Sequence, residues 1–162
     1  MANIQKIEDI QIWKDARILC QQVWKYINYP EFKKSFALVN QIDRSSGSVM
    51  DNVAEGFERS GKREFIQFLS IAKGSCGETK SQLIRALDRS LISQLEFETS
   101  YKLCQNILKQ LQSFIGYLKK QENKGYKFEE PIIEYKKLEN SADIFANGKL
   151  QIANYDKKES EN

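Results

Sequence analysis

Apolar residues that recur at alternating steps of three and four restrict this chain more than any other feature. The first segment reads Trp13, Ala16, Cys20, Val23 and Ile27. The second reads Leu38, Ile42, Ser45, Val49 and Val53, and the third Phe65, Leu69, Ala72, Cys76, Thr79, Leu83 and Ala86. The fourth reads Phe97, Tyr101, Cys104, Leu108, Leu111, Ile115 and Leu118. Such spacing lines one face of an α-helix and does not suit a strand, whose faces alternate with a period of two. Four amphipathic helices with short links bury their stripes by packing on one another. The expected fold is all-α, an antiparallel up-down four-helix bundle, with helices near 8–28, 34–57, 61–90 and 94–123.

Local punctuation supports these bounds. Asn28-Tyr29-Pro30 stops the first helix, because the residue before a proline is pushed out of the helical region. Gly56 to Gly61 separates the second and third helices, with Ser60 as an N-cap. Ser93 caps the fourth after a turn near 91–94, and Gly125 ends it. Residues 1–124 form one bundle domain on this reading, and 125–162 a polar, mostly irregular C-terminal tail. Within the tail, Pro131-Ile132-Ile133-Glu134-Tyr135 is a short apolar cluster able to dock on the bundle or on a partner.

Chemistry is narrowed chiefly by what is missing. The chain has 162 residues and no histidine, which removes the commonest general base and metal ligand. The three cysteines, Cys20, Cys76 and Cys104, are odd in number, widely spaced and placed on apolar stripes. They read as small core residues rather than as disulfides or metal ligands. Gly56-x-x-x-x-Gly61-Lys62 imitates part of a phosphate-binding loop. Arg63 stands where Ser or Thr must hold magnesium, however, and a helix precedes it instead of a strand. No enzyme, cofactor or metal is expected. The start carries no signal sequence and no apolar run is long enough to span a bilayer, so the expected location is the cytoplasm, away from membranes.

Two runs of small residues, Ser45-Ser46-Gly47-Ser48 and Gly74-Ser75-Cys76-Gly77, interrupt the second and third helices. They lie at similar distances from the intervening turn, so an antiparallel hairpin brings them together. Close helix approach accounts for them, and a ligand pocket or subunit contact is the alternative. The same register sets Arg44 against Glu78 as an ion pair. Asn52 and Glu55, nearer the turn, read as structural or subunit-contact residues like Arg44 and Glu78. A catalytic pair of Glu55 and Glu78 is excluded, since they sit about 18 Å apart along the hairpin at 1.5 Å per residue.

The net charge of +3 is modest, but residues 1–123 carry +4 and the remainder −1. The cations fall in rows. Lys14, Arg17 and Lys25 share a face of the first helix; Lys73 and Lys80 lie one heptad apart; Arg85 and Arg89 lie one turn apart. The fourth helix carries Lys102, Lys109, Lys119 and Lys120 with no acid from Thr99 to Gln121. Arg17, Lys73, Lys80, Arg85, Arg89, Lys102 and Lys109 are the candidate nucleic-acid-binding residues. A solvated face that aids solubility is the competing explanation. A patch of Trp24, Tyr26, Tyr29 and Phe32 on the surface would instead favour a protein partner.

Residues 41–78 also carry a resemblance. Gln41-Ile42-x-Arg44-Ser45-Ser46-x-Ser48-Val49, then Asn52-Val53-Ala54-Glu55-Gly56, then Glu64-Phe65-x-x-Phe68-Leu69-x-Ile71-Ala72-x-Gly74-Ser75-x-x-Glu78 resemble the bacterial four-helix bundle protein family. Its members are described as encoded in intervening sequences of large-subunit ribosomal RNA. Ile12-Trp13-x-x-Ala16 fits that family's opening helix, and the resemblance spans roughly 8–120. Two features depart from it. Ser45-Ser46-Gly47 stands where the family is richer in alanine, and the tail is longer. The resemblance implies a homopentameric ring or barrel with no established enzymatic activity. A related branch, the accessory variability determinants of diversity-generating retroelements, binds reverse transcriptase and RNA through basic surfaces. The expectation is therefore a non-enzymatic homo-oligomer, a pentamer by resemblance, that binds structured RNA. Its alternatives are an accessory subunit of a reverse transcriptase and a structural oligomer without nucleic-acid affinity.

Overall fold

The computed structural model describes residues 4–59 and 61–120. Ser60, Gly125 and the tail with its Pro131–Tyr135 cluster lie outside the described residues. A 3-10 turn at Ile7–Asp9 leads into α1, Gln11–Ile27; a one-turn α2, Pro30–Lys33; α3, Phe36–Glu58; α4, Lys62–Asp88; and α5, Gln94–Lys120. Four long antiparallel helices form the expected bundle. α3 packs on α4, α4 on α5 and α1 on both α3 and α5, which closes the ring. No strand occurs among the described residues.

The ends depart from expectation for local reasons. Asp9 Oδ2 accepts the backbone N–H of Gln5 (3.0 Å) and Lys6 (3.1 Å), holding residues 7–9 in a turn apart from α1. Pro30 ends α1 and also opens α2 at its first position, where its missing N–H costs nothing. Gly61 is the N-cap residue of α4. At the other end of α4, Leu91 N–H bonds Ala86 O (2.9 Å) and Ser90 N–H bonds Leu87 O (2.8 Å). This is a Schellman termination, with Ser90 left-handed at φ 55° in the position that glycine usually fills. Relieving the Cβ crowding there makes Ser90→Gly stabilising by about 0.5–1 kcal/mol, net of the extra freedom of the unfolded glycine. A rise in melting temperature checks it. Ser93 caps α5 as expected, in a capping box. Glu96 N–H bonds Ser93 Oγ (3.3 Å), and Ser93 N–H bonds Glu96 Oε2 (3.0 Å).

All five stripe residues of α3 and all seven of α4 are buried. The other two stripes are borne out in part, with Ala16, Val23 and Ile27 of α1 and Cys104, Leu111, Ile115 and Leu118 of α5 buried as expected. In α1 the core takes Ile12, Ala16, Leu19 and Val23, while Trp13 and Cys20 are half-buried. In α5 it takes Leu103, Ile107, Leu111 and Phe114, while Phe97, Tyr101 and Leu108 stay at the rim. Each fully buried Leu, Ile or Phe contributes about 1.5–3 kcal/mol relative to exposure. Phe65 of α4 meets Phe114 of α5 edge-on at 5.4 Å between centroids. Cys76 and Cys104 are buried across the α4–α5 seam, where the Cys76 thiol donates to Cys104 O (3.5 Å). A side-chain hydrogen bond with Cys76 and burial together push the Cys104 thiol well above its ordinary range. Cys20 is half-buried, and burial pushes its thiol up to about 11.

Polar side chains fasten two seams. Between α3 and α4, Ser45 shares a hydrogen bond with Thr79 Oγ1 (2.8 Å) and donates to Gln82 Oε1 (2.5 Å). Ser48 and Ser75 pair at 2.8 Å. The small-residue runs do meet, but through their serines. Gly47, Gly74 and Gly77 point away from the partner helix, and a Cβ on any of them would meet nothing within 4 Å. The close approach belongs to Gly56, a buried residue inside α3 rather than part of the link. Its Cβ would come 2.7 Å from Phe68 Cβ and 2.9 Å from Phe65 Cδ2. Between α1 and α5, Asp15 Oδ2 accepts from Gln110 Nε2 (2.7 Å), and Ser100 Oγ donates to Gln22 Oε1 (2.8 Å).

Candidate nucleic-acid interface

Residues seven apart on a helix nearly eclipse, about 10.5 Å apart along the axis. Lys73 and Lys80 of α4 have that spacing and both lean on α5. Lys73 Nζ donates to Gln112 Oε1 (2.8 Å). Lys80 Nζ lies over the Tyr101 ring, 4.5 Å from its centroid, and Tyr101 packs on Phe97 at 5.0 Å. The ammonium–ring attraction contributes about 0.5–1 kcal/mol at an exposed site. Both lysines are thus held at the rim of the α4–α5 seam. Lys102 and Lys109 repeat the spacing on the exposed side of α5. No acid lies between Thr99 and Lys120 to neutralise them, and Gln105 and Gln112 stand between them and the seam. Lys119 and Lys120 continue the run in the last turn, where the helix dipole also favours cations.

Four of the seven sequence candidates therefore share one surface. The other three do not join it. Arg17 is exposed on α1, its guanidinium 6.0 Å from the Trp13 ring. Arg85 sits on the opposite flank of α4 and donates to Gln41 Oε1 of α3 (2.7 Å). Arg89 is the C-cap residue at the end of α4. What the spacing did not reveal is the part played by Tyr101 and Gln112. Tyr101 was assigned to the core stripe, yet it is the half-buried platform under Lys80.

The bundle is polarised. The outer side of α3 carries Asp43, Asp51, Glu55 and Glu58, with Arg44 the one cation within the helix. Among the motif residues, Asn52 Nδ2 donates to Ser48 O (2.7 Å) and Ser48 Oγ (2.9 Å), adding a third member to the serine pair of the α3–α4 seam. Glu55 accepts from Arg59 Nη2 (2.6 Å) and Nε (3.1 Å). The expected Arg44–Glu78 ion pair is absent among the described residues. The observed seam bonds, Gln41–Arg85, Ser45–Thr79 and Ser48–Ser75, set Arg44 opposite residues near 80 rather than 78. Both side chains also face outward and are exposed. The proposed aromatic patch is likewise not formed. Tyr26 and Phe32 are buried and Tyr29 is half-buried, with its hydroxyl donated to Glu96 Oε1 (2.6 Å). Only Trp24 of that group is exposed, at 64%, and among the described residues Phe36 is a second large exposed aromatic, at 77%.

Among the described residues, no group of three or more Cys, Asp or Glu side chains is placed to hold a metal ion, and no helix is long and apolar enough to cross a membrane.

Comparison with known proteins agrees with this architecture. A solved structure from Bacteroides thetaiotaomicron, a protein of unknown function from the S23 ribosomal protein family, superposes with a TM-score of 0.59 at 23% sequence identity. The match covers 64% of this chain and 97% of that one, and establishes likeness of fold. No curated protein matches. The family described as 23S rRNA-intervening sequence protein matches residues 8–113, which run from the 3-10 turn into α5. With well over half its length accounted for in this way, the chain belongs to the 23S rRNA-intervening sequence protein family.

Proposed function

We propose that this protein is a non-catalytic, oligomeric RNA-binding bundle of the cytoplasm whose α4–α5 surface engages the phosphates of structured RNA. The observation that carries this reading is the acid-free run of α5 from Thr99 to Lys120 beside Lys73 and Lys80. Two rows of cations, each spaced about 10.5 Å along its own helix axis, face a polyanion without internal neutralisation. Tyr101 and the glutamines add groups that stack on or hydrogen-bond to nucleotides. The family's link to ribosomal RNA supports RNA over DNA. Oligomerisation, five copies by the resemblance, would multiply a weak single-copy site through avidity.

Fluorescence anisotropy with labelled structured RNA, duplex DNA and single strands, at low and physiological salt, tests the proposal. Structured RNA is expected to bind best. Its log affinity should fall linearly with log salt, with a slope of about −0.9 per phosphate neutralised on a duplex. Lys102→Glu with Lys109→Glu should weaken binding and flatten that slope by about two. Absence of binding even at low salt would refute the reading and leave the lysines as a solvated face of a structural oligomer.

A second reading rests on Trp24 and Phe36, which stand exposed on α1 and at the start of α3. Bulky apolar groups in water favour a protein partner, in which case the chain is an accessory subunit, as in the related branch that binds reverse transcriptase.

A further inference from the structure

We infer that the α4–α5 groove seats an unpaired nucleobase of the bound RNA on the ring of Tyr101. This deepens the proposed function and rests on it, by naming the part of the RNA that the surface takes. Lys73, Gly77, Lys80 and Ile84 follow one another at steps of four, three and four, so they share one stripe of α4. Lys73 bonds Gln112 and Lys80 lies over Tyr101, so that stripe borders α5. Opposite it, α5 sets Phe97, Tyr101, Gln105, Leu108 and Gln112 in a second stripe. The same two contacts give the antiparallel register, in which Ile84 stands level with Phe97 and Gly77 level with Gln105.

The groove is more than a row of cations. Phe97 and Tyr101 are half-buried with ring centroids 5.0 Å apart, and Ile84 is 40% exposed, so they form an apolar bed beside Lys80. Over the Tyr101 ring lies the end of a flexible lysine, 4.5 Å from the centroid, held by an attraction weaker than base stacking. Gly77 leaves open the stretch between the two lysines, since a Cβ there would meet nothing within 4 Å. A continuous duplex hides the faces of its bases in its own stack and has none to offer this ring. A bulged or looped base presents its face to Tyr101 and its edge to Gln105. Lys80, displaced from the ring, and Lys73, about 10.5 Å away along α4, then meet the phosphates on either side. The charge of the groove suits this occupant, because α5 carries no acid from Thr99 to Lys120.

Two blunt RNA duplexes of one sequence test the inference, one fully paired and one with three unpaired adenines in the middle of a strand. Their binding to the full-length protein is followed by fluorescence anisotropy across a salt series. The bulged duplex should bind about tenfold more tightly, within the range that one stacked base contributes. Tyr101→Leu should abolish that preference and leave the salt slope unchanged, because stacking releases no counterions. Tyr101→Phe keeps the ring and should keep the preference. Gly77→Leu introduces a better helix former where the monomer has room, yet fills the groove, and should cancel the preference as well. Circular dichroism reports helix content; should Tyr101→Leu lose helicity, Gly77→Leu decides alone. Equal binding of the two duplexes by the wild type, or a preference that survives Tyr101→Leu in the folded variant, overturns the seating of a base while the phosphate-binding reading stands. A wild type that binds neither duplex even at low salt overturns both.

Discussion

Gly56→Ala is expected to destabilise the bundle by about 2 kcal/mol, although alanine is the better helix former by nearly 1 kcal/mol. The added methyl would lie 2.7 Å from Phe68 Cβ, an atom fixed to the α4 backbone, and 2.9 Å from the Phe65 ring. Phe68 Cβ has no rotamer escape, so the helices must separate. Separation would loosen the Ser48–Ser75 bond further along the seam and disturb the edge-on seat of Phe65 against Phe114. Urea unfolding is the measurement. The midpoint should fall with little change in slope, since the surface exposed on unfolding is nearly the same. A midpoint equal to or above that of the wild type would show that α3 and α4 are not as close as described.

The second large effect concerns Glu96, where four donors converge. Its Oε1 accepts from Tyr29 (2.6 Å) and Lys25 (3.2 Å), and its Oε2 from the Ser93 N–H and hydroxyl (both 3.0 Å). Tyr26 donates to the Glu96 carbonyl (3.3 Å) and binds Ser100, so the end of α1 is tied to the start of α5. Glu96→Ala removes the capping box and leaves the half-buried Tyr29 hydroxyl without its acceptor. A loss of about 2–3 kcal/mol is expected, since bonds to a charged group contribute about 1.5–3 kcal/mol and caps about 1 kcal/mol, not additively. Burial pushes the Glu96 carboxyl up, but the bonds from Tyr29, Ser93 and Lys25 outweigh it and hold the group below its ordinary 4.5. A folded value below the unfolded one means that the unfolded chain binds the extra proton. The stabilisation is therefore complete above the ordinary value and is lost as pH falls through the lowered one. Wild type should lose stability below about pH 4.5 more steeply than Glu96→Gln, whose amide does not titrate. Parallel acid profiles would remove Glu96 from the account.

The core stripes in the middle of the bundle were legible from spacing, because α3 and α4 bury plain apolar stripes, and the serines and threonine in register with them pair across the seam. The outer helices were legible in part: Ala16, Val23, Ile27, Cys104, Leu111, Ile115 and Leu118 are buried as their spacing predicts, while Trp13, Cys20, Phe97, Tyr101 and Leu108 stay half-buried for an identifiable cause. α1 and α5 bury Asp15, Gln22, Ser100 and Gln110 in cross-helix pairs, and either member of such a pair, seen alone in a sequence, looks like surface. Trp13 and Tyr101 look like core because rings are apolar, yet each lies at the rim near a cation, Arg17 or Lys80. Gly56 reads as part of a helix break, since nothing in a sequence distinguishes a glycine that ends a helix from one that lets a neighbour come close. Of the basic candidates, heptad spacing found the pairs that share a surface. It had no means of telling that Arg85 turns toward α3 while Lys80 turns toward α5.

The three thiols give this bundle an internal clock. Cys20 sits half-buried at the α1–α3 boundary, whereas Cys76 and Cys104 are sealed in the α4–α5 seam. A thiol must be exposed and ionised before an alkylating reagent attacks it. Alkylation at Cys20 would register small excursions of one edge, and alkylation at Cys76 or Cys104 the rarer parting of the two helices that carry the lysines. Timed labelling read by mass spectrometry would separate these two motions without adding a single foreign probe.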